Sequence, residues 1–101
     1  MAFVRVAKAG DIAPGTVHEV QAGGKPVALA NVGGKFYAIS GTCLHRGGPL
    51  GQGSLDGNVL MCPWHGWQFD VTTGKVSGNA TVGVDCYQLE VRGDELFVDA
   101  G

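Results

Sequence analysis

Apolar and polar residues alternate along this chain in short runs whose period is that of a strand. Residues 2–7 set Phe3 and Arg5 against Val4 and Val6, a short strand of modest contrast. Asp11-Ile12-Ala13-Pro14-Gly15 reads as a turn, because proline fixes φ and glycine tolerates the backbone angles that close it. Residues 16–21 form a second β-like run, broken by Gly23-Gly24. Residues 26–32 are almost continuously apolar and predict a buried strand, which meets residues 35–39 across Gly33-Gly34, a two-residue hairpin signal. Near the C-terminus Tyr87, Leu89 and Val91 alternate with Gln88, Glu90 and Arg92, predicting one buried face. Gly93-Asp94 then turns the chain into Leu96-Phe97-Val98. No window longer than about ten residues carries a capped 3.6-residue period. The pattern predicts an all-β protein with antiparallel strands.

The middle of the chain departs from this rhythm. Glycines recur every few residues between 41 and 80, and strand-like stretches shrink to 59–61 and 67–71. So many turns bury too little to hold themselves together, and a bound metal centre would supply what burial does not. The region 41–80 is therefore expected to be a metal-binding subdomain within a single domain, 1–101. Gly51-Gln52-Gly53-Ser54-Leu55-Asp56-Gly57 has the look of a phosphate loop, lacks the G-x-G-x-x-G spacing, and is expected to be a plain loop.

Composition narrows the class. Glycine accounts for 18 of 101 residues and charged residues for 16%, against averages of about 7% and about 25%. That balance suits tight turns between short strands. The net charge of −2 leaves no basic face to neutralise phosphates, so nucleic acid is not an expected partner. Arg5 and Lys8 interrupt the N-terminal apolar residues, and no apolar run approaches the length of a membrane span. A cytoplasmic, reducing location is expected, with no membrane partner. Three cysteines are an odd number and argue against a disulfide framework.

Four candidate metal ligands fall in the glycine-rich stretch: Cys43 and His45 as C-x-H, then sixteen residues, then Cys62 and His65 as C-x-x-H. Each pair offers one thiolate and one imidazole from one short loop. Thiolates suit ferric iron in a sulfide-bridged cluster, and neutral imidazoles suit an iron that is to be reduced. Two cysteines and two histidines are also a zinc set, although C-x-H is tighter than the usual zinc spacing. Gly47, Gly48 and Gly66 would let backbone amides approach a bound centre closely.

Cys43-Leu44-His45-Arg46-Gly47-Gly48-Pro49 together with Cys62-Pro63-Trp64-His65-Gly66-Trp67 resembles the two ligand loops of Rieske iron–sulfur proteins. The likeness runs on through Gln68-Phe69-Asp70, Thr73-Gly74-Lys75 and the closing strands. It implies the Rieske fold, an antiparallel β-sandwich, holding one [2Fe–2S] cluster, both cysteines on one iron and both histidines on the other. High-potential members of cytochrome bc complexes carry an extra disulfide between the loops, at positions that are Gly48 and Trp64 here. They also place serine and tyrosine hydroxyls near the cluster where this chain has Trp67 and Phe69. Fewer hydrogen bonds to sulfur disfavour the reduced state, so the chain resembles the low-potential ferredoxins of bacterial aromatic-ring dioxygenases. In many of those the third covering loop has a proline; here it reads Ser77-Gly78-Asn79-Ala80.

The resemblance implies a monomeric one-electron carrier between a flavin-dependent NAD(P)H reductase and a terminal Rieske oxygenase, with no catalytic residues of its own. The small Rieske-type subunit of assimilatory nitrite reductase is the competing role, and a zinc-stabilised structural module a third. Two roles are open to Trp64 and Trp67: core residues, or an apolar collar that shields the cluster and meets the partner together with Leu44 and Pro49. Cys86 stands outside both loops as a spare thiol, and His18 as a surface histidine.

Overall fold

A computed structural model describes residues 3–43, 48–64 and 66–99. Among the described residues eleven strands form two antiparallel sheets. The first has six strands in the order β1 (Val4–Lys8), β11 (Glu95–Asp99), β10 (Cys86–Arg92), β4 (Lys35–Ser40), β3 (Lys25–Val32) and β2 (Val17–Ala22). The second has five in sequence order: β5 (Ser54–Asp56), β6 (Val59–Met61), β7 (Gln68–Asp70), β8 (Lys75–Val76) and β9 (Asn79–Gly83). Short 3₁₀ turns occupy Ala9–Asp11 and Leu50–Gln52. No described helix is long and apolar enough to cross a membrane.

The hairpins follow from glycine at positive φ. Gly33 and Gly34 (φ 60° and 98°) turn β3 into β4, as a type I′ turn requires at both central positions, and Gly93 (φ 63°) opens the β10–β11 turn. The apolar run in β3 is buried on both faces: Val27 and Leu29 enter one core with Leu96 and Val98, while Ala28 and Ala30 enter another with Leu50, Leu60 and Phe69. β4 divides the same way, Ala38 to the first core and Ile39 to the second. The β3–β4 hairpin is thus a wall shared by two cores, and alanine on the second side lets the glycine-rich segment approach closely.

Three expectations are corrected. Residues 51–57 are not a plain loop: they supply the end of a 3₁₀ turn and all of β5, paired Ser54↔Met61 and Asp56↔Val59 across Gly57. Ser77-Gly78-Asn79-Ala80 is likewise only half a loop, since Asn79 begins β9 and the Ser77 amide donates to the Gln68 carbonyl at 2.9 Å. Val91 is 50% exposed, not part of a buried face. β10 pairs with β4 only at Cys86 and Tyr87, so nothing from β4 covers its far end.

The chain leaves the six-stranded sheet after Ser40 and re-enters it at Cys86. The Ser40 amide donates to the Asp85 carbonyl at 2.8 Å, and Cys86 pairs with Ile39. Everything in the five-stranded sheet is inserted between these neighbouring points.

Candidate metal centre

Cys43 follows β4 and Cys62 follows β6, and each opens a loop closed the same way. The Cys43 amide donates to the Gly48 carbonyl and the Cys62 amide to the Trp67 carbonyl, both at 2.7 Å, each reaching five residues ahead. A Thr42↔Pro49 bridge and a 2.9 Å bond from the Leu50 amide to the Gly41 carbonyl tighten the neck of the first loop. Gly41 is needed there, because a Cβ would stand 2.8 Å from the Pro26 carbonyl carbon. His45, together with Leu44, Arg46 and Gly47, and His65 lie outside the described residues.

Both thiols are buried, Cys43 at 2% and Cys62 at 1% exposure, within the second core. No disulfide joins the three cysteines. The loops meet at buried Gly48, whose carbonyl holds the Cys43 amide and where a Cβ would lie 2.8 Å from Cys62 Sγ and 3.2 Å from Trp64 Cβ. Two buried soft donors on converging clamped loops fit a thiolate-bound metal centre. Neither Gly48 nor Trp64 can form the loop-to-loop disulfide, although the two positions face each other.

The candidate collar residues separate by environment. Trp64 is 49% exposed. Trp67 is half-buried, packed against the second core and tilted 32° to Phe69 with ring centroids 6.4 Å apart. Pro49 is half-buried in its bridge to Thr42. Sequence reasoning missed Met61, which is exposed directly before Cys62. No residue-type signal could have found it, since β6 reads Val59-Leu60-Met61, all apolar, and only the pairing shows that Leu60 alone turns fully inward.

Cys86 belongs to the other sheet and is exposed. Partial burial of its sulfur pushes the thiol pKa up, and the Asp70 carboxylate adds to the shift. Asp70 Oδ1 accepts bonds from the Thr72 hydroxyl (2.6 Å), the Thr72 amide (2.9 Å) and Asn58 Nδ2 (3.2 Å). The Thr72 hydroxyl is the main cause that holds this carboxyl below its ordinary value. Asp70 fixes the turn after β7 and is not a ligand candidate. His18 is exposed on β2, paired with Leu29.

The chain is similar to known proteins along most of its length. The family model of the Rieske [2Fe-2S] domain matches residues 2–88. Ferredoxin CarAc of Metapseudomonas resinovorans is 40% identical over 98 residues, covering 95% of this chain and 92% of the relative. The ferredoxin component of biphenyl 2,3-dioxygenase from Rhodococcus jostii (strain RHA1) is 35% identical over 100 residues, covering 98% and 94%. A solved complex of reduced oxygenase and oxidized ferredoxin in carbazole 1,9a-dioxygenase contains a chain that superposes with a TM-score of 0.85 at 40% identity, covering 95% of this chain and 91% of that one. A nitrite reductase (NADPH) small subunit superposes at 0.81 with 16% identity, which shows the fold alone.

Proposed function

Because the chain belongs to the Rieske [2Fe-2S] family, we propose that Cys43, His45, Cys62 and His65 hold its cluster and that it carries electrons from an NAD(P)H-dependent flavin reductase to a terminal Rieske oxygenase. It is an electron-transfer ferredoxin, as its relatives are, and not itself an enzyme. Bound, the cluster supplies a one-electron couple. The protein's own part is to position and shield. Burial of Cys43 and Cys62 keeps water from the thiolate side, and the amide clamps from Cys43 and Cys62 fix the loops that carry the histidines. Exposed Trp64 and half-buried Pro49 would make the collar a partner meets, together with Leu44, which lies outside the described residues, while half-buried Trp67 packs against the core. We place the cluster-binding subdomain at about 41–80 within a single domain, 1–101, and the protein in the cytoplasm as a monomer.

One observation carries the site assignment: two buried cysteines each open a loop closed by an amide bond to the fifth residue ahead. The test is iron content with visible and EPR spectra. The purified protein should contain two irons per chain, and His45→Ala or His65→Ala should lose the cluster or hold it unstably, since each histidine is one of only two on its iron. Two tightly held irons in either variant would refute the ligand set.

A further inference from the structure

Met61 and Trp64 are two of the three large hydrophobic side chains exposed among the described residues, at 40% and 49%. They bracket Cys62-Pro63 in sequence, and Met61 lines a groove together with both of these residues. The groove is lined by Gln52, Gly53, Ser54, Met61, Cys62 and Pro63. Its floor is backbone: a side chain at Gly53 would run into the Met61 carbonyl, and the Ser54↔Met61 pairing fixes the two walls. None of them is an aspartate, glutamate, lysine or arginine. Residues 41–67 contain one cation, Arg46, and one anion, Asp56. Asp56 sits at the far end of the β5–β6 hairpin from Met61. The separate groove beside Cys43 differs, since it is lined by Ser40, Thr42, Gly83, Val84 and a carboxylate, Asp85.

We infer that the Cys62 flank is the seat of an uncharged, apolar side chain of the terminal oxygenase, so that this partner is recognised by desolvation and shape and not by charge. The inference rests on the electron-carrier assignment and adds to it a residue, Met61, and a recognition chemistry. The lack of acidic and basic side chains in the described lining of the groove decides the occupant. A charged side chain seated here would lose its hydration with no acidic or basic side chain of that lining to meet it, whereas an apolar one gains from covering the Met61 thioether. Such anchors sit at the centre of interfaces, and truncating them commonly costs tenfold or more in affinity. Recognition of this kind is little screened by salt, unlike association steered by exposed charges.

The experiment uses cluster-loaded protein and the terminal oxygenase of carbazole 1,9a-dioxygenase as the probe, reading KM and kcat for the ferredoxin across salt concentrations. Met61→Lys and Met61→Glu should both raise KM about tenfold or more with kcat and the EPR spectrum unchanged. Asp85→Asn, in the groove beside Cys43, should leave KM as it was. The wild-type KM should change less than about twofold between low and moderate salt. Ser54→Lys, on the facing strand, carries the same expectation should a Met61 variant load its cluster poorly. Opposite responses to Lys and Glu, a steep salt dependence, or unchanged KM in both charge variants would overturn the inference while leaving the carrier role intact. A wild-type protein that fails to reduce the oxygenase at any concentration would overturn the carrier role itself, and the groove assignment with it.

Discussion

Phe69 has no exposed surface and packs at a tilt against Trp67, inside the core that also buries both candidate thiols. A hydroxyl added there would sit in the core that also contains both candidate thiols. Rieske centres span about −150 to +300 mV, and hydrogen bonds to the sulfurs are a main cause of the spread. With Trp67 and Phe69 in place of hydroxyl-bearing residues, the wild-type potential should lie near the negative end. Phe69→Tyr should raise it by tens of millivolts, because a net bond to a charged acceptor is worth about 1.5–3 kcal/mol and 59 mV corresponds to about 1.4 kcal/mol for one electron. Protein-film voltammetry reads both. A wild-type value well above zero, or a variant that loses stability without gaining potential, would remove the hydroxyl argument. At this scale the sequence was informative where residue type is itself the chemistry: two thiol–imidazole pairs in short loops. It was silent on Met61, because exposure beside a ligand follows from strand pairing and not from residue type.

Strands announced themselves when a glycine pair closed them or when an apolar run was long enough. Gly33-Gly34 and Gly93-Asp94 marked two hairpins, and the run before Gly33 marked β3. β5, β8 and β9 were hidden because such short runs of mixed polarity, set among glycines, carry too few apolar positions to register. The short 3₁₀ turn Leu50–Gln52 was hidden for the same reason, yet it couples the sheets. Leu50 enters the second core with no exposed surface. A Cβ on Gly51 would stand 2.6 Å from Glu19 Cα and 2.9 Å from Glu19 N, both backbone atoms of β2 that cannot step aside. Gly51→Ala should therefore cost about 1–3 kcal/mol of overpacking. At roughly 4–8 °C per kcal/mol for a domain of this size, calorimetry of the loaded protein should show a melting temperature lower by at least about 4 °C. An unchanged melting temperature would mean that the turn lifts freely off β2.

Across the whole molecule, one core lies inside the six-stranded sheet and the other between that sheet and the inserted one. Among the described residues the first contains neither candidate thiol, and the second contains both. Removing iron should consequently unfold the molecule unevenly. In the apo-protein, amides of residues 41–80 should exchange with solvent much faster than in the loaded form, while those of β1, β10 and β11 keep most of their protection. Hydrogen exchange with mass spectrometry resolves the two regions, and uniform loss of protection would show that the cores stand or fall together. That there are two cores was not legible in the sequence. The double burial of β3 was visible as an apolar run, but which residues faced which core depends on the register with β4 and on the close approach of the 3₁₀ turn.

The exit after Ser40 and the return at Cys86 are joined by a hydrogen bond and lie on paired strands. In topological terms the five-stranded sheet is a graft on a hairpin connection. β4 and β10 would remain antiparallel neighbours if a short turn replaced it, and the face left bare would present chiefly Ala28, Ala30 and Ile39. The same two anchor points define the scissors and the splice for a transplant: any antiparallel strand pair with a small-residue face beside it is a candidate host for this redox module.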